Sequence, residues 1–276
     1  MTKFLNLHRL KTNNIGDLKC APYLYFDQKI PVIGREILGF MPREVPTQPE
    51  RREWKERFFE AAVIIVGGGG LLELDFFMPG LTYIFQNKRQ ETKVVVWGAG
   101  HNDWKLGDWR HLKRKYHFEG LPFDLIGVRD HGHPYEWVPC VSCMDPIFDR
   151  KFEVKHPIVM YAHEGTYRNE NLRKTLPQDV PLLTNSADFE TAITFLGEAE
   201  LVLTDSFHGA YWATLMGRKV IAFPSSSKFY DYKHPVPLCD PTDWQRFQRM
   251  ATSYPEALEE CRSANTTFAD KVAALA

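Results

Sequence analysis

Seven short, mainly apolar runs recur along the chain. They are 62–66 (AVIIV), 93–97 (KVVVW), 123–128 (FDLIGV), 157–161 (PIVMY), 180–183 (VPLL), 201–204 (LVLT) and 219–223 (KVIAF). Little polar alternation interrupts them, which is the pattern of strands buried on both faces of a parallel sheet. The stretches between them, such as 51–60 and 187–199, carry the spacing of amphipathic helices. Strands alternating with helices at this spacing predict an α/β fold built of βαβ units.

The charged segment DRKFEVKH at 149–156 stands before a fresh buried strand opened by Pro157. A boundary there predicts two Rossmann-like domains, 1–152 and 153–276, facing a central ligand cleft. Residues 243–276 read as helices broken around 253–255.

Composition narrows the classes. With 34 Lys+Arg against 35 Asp+Glu the net charge is -1, so no global positive field exists to bind nucleic acid. No stretch approaches the roughly 20 apolar residues that span a bilayer. Residues 1–11 lack an apolar leader core and a small-residue cleavage site, which disfavours secretion. The five cysteines are too few and odd in number for a disulfide framework, and a reducing cytoplasm is expected.

The segment richest in chemistry is 201–223, LVLTDSFHGAYWATLMGRKVIAF. It reads as strand, tight turn, helix, glycine stop and strand, with Asp205 or Ser206 as the helix cap and Gly217 at its end. His208 then falls in the first helical turn at the carboxyl end of a parallel strand, where backbone N–H groups and the helix dipole favour an anion. Gly209 leaves room for a ligand to approach. Either His208 acts on a ligand or it packs against a neighbour.

Four glycines, Gly67–Gly70, follow the first clear strand and allow close backbone approach or a structural turn. They match neither the dinucleotide fingerprint nor a P-loop. A third strand ends in WGAG followed by His101, which either lines the same site or packs. NNIGD near the start places Asn14 and Asp17 at a loop-to-helix junction. Asp17 can bind a sugar hydroxyl, serve as general base or cap the helix. Arg129, in GVRDHG, can clamp a carboxylate or phosphate, or pair with an acid. Trp97, Trp104, Trp109, Tyr211 and Trp212 can stack on sugar rings or fill the core. His131, His133, Cys140 and Cys143 can make a tetrahedral zinc site, although their spacing is not that of a standard finger.

NIGD (14–17), VGGGG (66–70), WGAG (97–100), VRD (128–130) and TDSFHGAYWATLMGRKVIAF (204–223), in this order, resemble the polysaccharide pyruvyl transferase family. The resemblance implies a GT-B-like pair of Rossmann domains, with the acceptor on the N-terminal side and the donor on the C-terminal side. It implies transfer of a pyruvyl group from phosphoenolpyruvate to a saccharide hydroxyl in cell-surface or exopolysaccharide synthesis, without a metal or other cofactor. A nucleotide-sugar glycosyltransferase is the alternative. His208 matches the family histidine and is expected to be catalytic with Asp17. Ser206, Phe207, Gly209, Arg129 and Lys228 are expected on the donor, and Asn14, Gly68, Gly69, Gly70 and His101 on the acceptor. Many members carry Arg two residues before the histidine; this chain has Ser206, so the donor's anionic groups need another cation.

Overall fold

The computed structural model describes residues 3–104, 116, 118 and 120–276. In chain order the first elements are β1 (Phe4–His8), α1 (Ile15–Lys19), β2 (Val32–Glu36), α2 (Gln48–Glu60), β3 (Val63–Val66), β4 (Gly69–Leu72), α3 (Met78–Asn87), β5 (Lys93–His101), β6 (Leu125–Val128) and β7 (Glu136–Trp137). There follow β8 (His156–Ala162), α4 (Glu164–Arg168), α5 (Glu170–Arg173), β9 (Leu182–Thr184), α6 (Phe189–Gly197), β10 (Ala199–Thr204), α7 (Phe207–Leu215), β11 (Lys219–Ala222), α8 (Trp244–Phe247) and α9 (Ala257–Ala273). The chain divides into two units: Met1–Thr12, Asp17–Ser142 and Cys261–Ala276 form the first, Asn13–Gly16 and Cys143–Glu260 the second. The second unit thus begins ten residues before the expected start at 153, and most of α9, expected in the second domain, belongs to the first unit.

The first unit holds a parallel sheet of order β2-β1-β3-β5-β6-β7, with β4 pairing β5 beyond the end of β3. Leu5, Leu7, Ile64, Val66, Val94 and Val96 share one core with Trp54 and Phe58 of α2. Helix α2 starts where Thr47 accepts a hydrogen bond from the Glu50 amide and donates to its carboxylate, a reciprocal cap. Strand β1 is buried throughout although it carries Asn6 and His8. The Asn6 amide avoids the cost of burial by donating to the carbonyls of Ile65 and Gly67, at 3.2 and 2.7 Å. At the far end of the chain, Asn265 of α9 accepts from the Trp97 indole at 2.9 Å and donates to the Pro139 carbonyl at 3.1 Å. Phe268 packs edge-on to Trp97, which explains why this helix joins the first unit.

The second unit holds a parallel sheet of order β11-β10-β8-β9. Met160, Leu201, Leu203 and Ile221 form its core with Leu176, Phe223 and Ala251. From β8 the chain moves to β9 on one side and then returns to β10 on the other. The carboxyl ends of β8 and β10 therefore flank the point where strand order reverses, the usual place for a ligand in such sheets. The two Rossmann-like parallel sheets are the α/β architecture expected from the apolar runs.

Candidate functional site

Ser206 is the cap of α7: it has extended backbone, and its hydroxyl accepts from the Gly209 amide at 3.4 Å. The turn that leads into it is tied down by Thr204, whose hydroxyl donates to the Tyr161 carbonyl at 2.6 Å and accepts from the Ser206 amide at 3.0 Å. Gly217, with φ +67°, ends the helix. Its amide bonds the Thr214 carbonyl and the Arg218 amide bonds the Ala213 carbonyl, closing a Schellman turn.

This frame places His208 in the first turn of α7, buried between aromatic neighbours. Its ring lies 5.3 Å from Phe207, nearly perpendicular, and 5.2 Å from Trp212. Gly16 closes another side: a Cβ built on it would overlap His208 Nδ1. The Ile15 amide donates to the Asn185 carbonyl at 3.0 Å, which fixes this short N-terminal segment beside α7 in the second unit. Asn14 is part of the segment, and its side chain accepts from the Gly16 amide at 3.1 Å. Asn14 therefore stands at the start of α1, and Asp17, a candidate for that capping role, lies inside the helix and in the first unit.

Gly209 does not open space for a ligand. A Cβ there would come within 2.5 Å of Thr204 Oγ1 and 2.6 Å of Tyr161 Cδ1, so the glycine lets α7 lie close on the sheet. Phe207 stacks on Tyr232 at 4.9 Å, and the Tyr232 hydroxyl donates to the Phe207 carbonyl at 2.6 Å, which pins the 224–234 segment to the start of α7.

Two residues not singled out from sequence complete this edge. His163 follows β8, and its amide donates to Asp205 Oδ1 at 2.6 Å. The His163 Nδ1 accepts from the Gly165 amide at 3.0 Å, which leaves the proton of the neutral ring on Nε2. Burial, reinforced by the Lys228 ammonium, lowers the His163 pKa to about 4. Burial pushes the Asp205 carboxyl up from its usual range, opposed by the Thr166 hydroxyl, then the His163 amide, then the Lys228 ammonium. Asn185 follows β9, and its Oδ1 accepts from the Glu164 amide at 2.7 Å. The signal for His163 and Asn185 was available, because each, like Asp205, immediately follows a strand.

In the first unit the glycine run serves packing. A Cβ on Gly68 would overlap the Cys20 carbonyl, and one on Gly70 would lie 2.8 Å from Asn102 Cβ. Gly69, at φ +83°, opens β4. His101 is buried: its amide donates to Asp130 Oδ2 at 2.9 Å, and its carbonyl accepts from Arg129 Nη2 at 3.2 Å. Arg129 is buried beside Asp130, so its guanidinium is engaged within the unit. Tyr116 also hydrogen-bonds Asp130. His133 lies against Tyr116 at 4.9 Å, His131 faces Trp137 at 6.2 Å, and Cys140 Sγ contacts Ser142 Oγ at 3.2 Å. His131, His133 and Cys140 do not share a ligand set among the described residues. All five cysteines are buried and none is in a disulfide. Trp97 and Trp212 are core residues and Trp104 is exposed, while Trp109 lies outside the described residues.

A pair of parallel sheets, with a histidine held in the first turn of the helix that leaves a central strand, defines a Rossmann-like α/β protein with a candidate site at a strand's carboxyl end. Within that class, the model of the polysaccharide pyruvyl transferase family matches residues 6–227, and the chain belongs to this family. No curated protein matches the chain. Among solved structures it is similar to an uncharacterized protein from Klebsiella pneumoniae, at 18% identity over 92% of this chain and 90% of that one, TM-score 0.48. It is also similar to the wall teichoic acid polymerase TagF, at 12% identity over 100% and 89%, TM-score 0.48. Among the described residues no helix is long and apolar enough to cross a membrane.

Proposed function

We propose that the chain transfers a pyruvyl group from phosphoenolpyruvate to a saccharide hydroxyl, as a step in building a cell-surface or extracellular polysaccharide. The observation that carries this reading is the placement of His208, the counterpart of the family histidine, in the first turn of α7 with its ring confined by Gly16, Phe207 and Trp212. An imidazole can donate a proton to the terminal enol carbon of phosphoenolpyruvate. The adjoining carbon then becomes electron-poor, a sugar oxygen bonds to it, and that hydroxyl gives its proton to a base. Phosphate then departs, a second hydroxyl attacks the same carbon to complete a ketal, and the proton of that hydroxyl leaves on the phosphate. The positive end of α7 favours the anionic donor. Lys228, whose charge is felt at His163 and Asp205, supplies the cation that Ser206 does not. Asp17 remains a proposed base and Arg129 a proposed donor ligand.

Thermal-shift measurements with phosphoenolpyruvate and a set of nucleotide sugars test the reading. A ligand at a hundredfold excess over its Kd stabilises the native state by about 2.7 kcal/mol. We expect a shift with phosphoenolpyruvate that His208→Gln and Lys228→Ala each reduce. A shift with a nucleotide sugar alone overturns the assignment of the donor.

A further inference from the structure

Asp205 and Asn185 are gripped by consecutive backbone amides. The His163 amide binds Asp205 Oδ1 and the Glu164 amide binds Asn185 Oδ1, at 2.6 and 2.7 Å. Neighbouring amides hold the two planar head groups close together at the carboxyl ends of β8, β9 and β10. Each head then has one atom left over. Asp205 Oδ2 and Asn185 Nδ2 are buried and neither completes a hydrogen bond, although the Thr166 hydroxyl lies near enough to the Asp205 carboxyl to oppose the rise in its pKa. Asp205 is 4% exposed and Asn185 1%. Ser226, after β11, is also buried with its Oγ unpartnered. A buried polar atom left without a partner costs about 1–3 kcal/mol, which a polar ligand bound at that place would recover.

The chemistry of the leftover atoms discriminates between ligands. Asn185 Nδ2 can only donate, a carboxylate oxygen can only accept, and a hydroxyl does both. A phosphate or carboxylate oxygen would satisfy Asn185 but face Asp205 with like charge. A metal cation would satisfy Asp205 but meet the positive edge of the Asn185 amide and the nearby Lys228 charge. An alcohol answers both groups at once, donating to Asp205 and accepting from Asn185.

We propose that Asp205 and Asn185 form a subsite that holds a saccharide hydroxyl, with Asp205 Oδ2 accepting its proton. The proposal rests on the reading that the acceptor is a saccharide, and it places that hydroxyl in the same unit as His208. When the sugar oxygen attacks the electron-poor carbon, its O–H bond breaks and the proton passes to Asp205. Burial, by raising the affinity of this carboxyl for a proton, suits it to that role.

The test uses the full chain and the methyl glycosides of galactose, glucose and mannose as probes, observed by saturation-transfer NMR with and without phosphoenolpyruvate. Asp205→Asn keeps the shape and replaces the accepting oxygen by a donor; Asn185→Asp keeps the bond from Glu164 and removes the donor. Both variants are expected to bind the responsive glycoside roughly tenfold or more weakly, while Gly217→Ala, at the opposite end of α7, binds it normally. Unchanged glycoside binding in Asp205→Asn overturns the subsite, as does absence of signal from all three glycosides, which leaves an ordered water as the partner. Tighter binding of phosphoenolpyruvate by Asp205→Asn also overturns it, and makes the place an anion pocket. Asp205-dependent glycoside binding without any phosphoenolpyruvate shift leaves the subsite standing and removes the pyruvyl donor.

Discussion

Gly16 and His208 are separated by most of the chain, yet any side chain larger than hydrogen at position 16 would occupy the place of the His208 imidazole. The glycine therefore confines the candidate catalytic ring without contributing a side-chain atom beside it. Gly16→Ala must either push the ring off its position or lift the 13–16 segment from Asn185. We expect a loss of about 1–3 kcal/mol, the usual cost of overpacking. The phosphoenolpyruvate-induced thermal shift should fall as far as it does in His208→Gln. Calorimetry of Gly16→Ala with and without the ligand checks both; a full shift retained in this variant would show that the ring tolerates displacement.

Two histidines, His8 buried and His163 half-buried, make stability sensitive to acid. Burial lowers both His8 and His163 to about 4. The unfolded chain takes up protons on these rings near pH 6.5, well before the folded chain does, so stability falls as pH drops from about 6.5 towards about 4. For one fully buried ring such as His8, this amounts to about 2 kcal/mol near pH 5. His8 has neither ring nitrogen hydrogen-bonded, so His8→Leu is expected to reduce the loss on acidification. Urea unfolding followed across this range provides the comparison; an unchanged pH slope in His8→Leu would contradict it.

The two ends of α7 bear separately on its stability. Ser206→Ala removes the cap on Gly209 and is expected to cost about 1 kcal/mol. Gly217→Ala forces a side chain into φ +67° and is expected to cost a similar ~1 kcal/mol. Because the two sites share no partner, the double variant should show the sum of the single losses in denaturant titrations.

Asn265 fastens α9 to the first unit. Asn265→Leu leaves the Trp97 indole N–H and the Pro139 carbonyl without their partner, each at a cost of about 1–3 kcal/mol. The variant is expected to expose the C-terminal helix to protease earlier than wild type, while phosphoenolpyruvate still shifts its melting. Limited proteolysis read by mass spectrometry would show the order of cleavage.

The α/β class was legible because buried parallel strands write themselves as apolar runs: 62–66, 93–97, 201–204 and 219–223 all contain strands. Helix α7 was legible down to its Ser206 cap and Gly217 stop, because caps and left-handed stops are local chemistry. Strands β1 and β2 were not among the predicted ones. In β1, Asn6 and His8 interrupt the apolar run, and the bonds that make Asn6 tolerable come from a strand some sixty residues away. The glycine run, which the sequence leaves open to close ligand approach or a structural turn, is in part a strand edge packed on Cys20 and Asn102, since a missing side chain does not reveal what fills its place.

By itself, then, the sequence determined the alternation of strands and helices, the family, and the histidine at a strand's end. The tertiary structure decided that Gly16 confines that histidine and that Asn185 and Asp205 are held side by side by His163 and Glu164. It also assigned most of α9 to the first unit. The physical reason is common to all three: hydrophobic periodicity and capping act over a few residues, whereas steric exclusion and the pairing of buried polar groups act between segments that only the folded chain brings together.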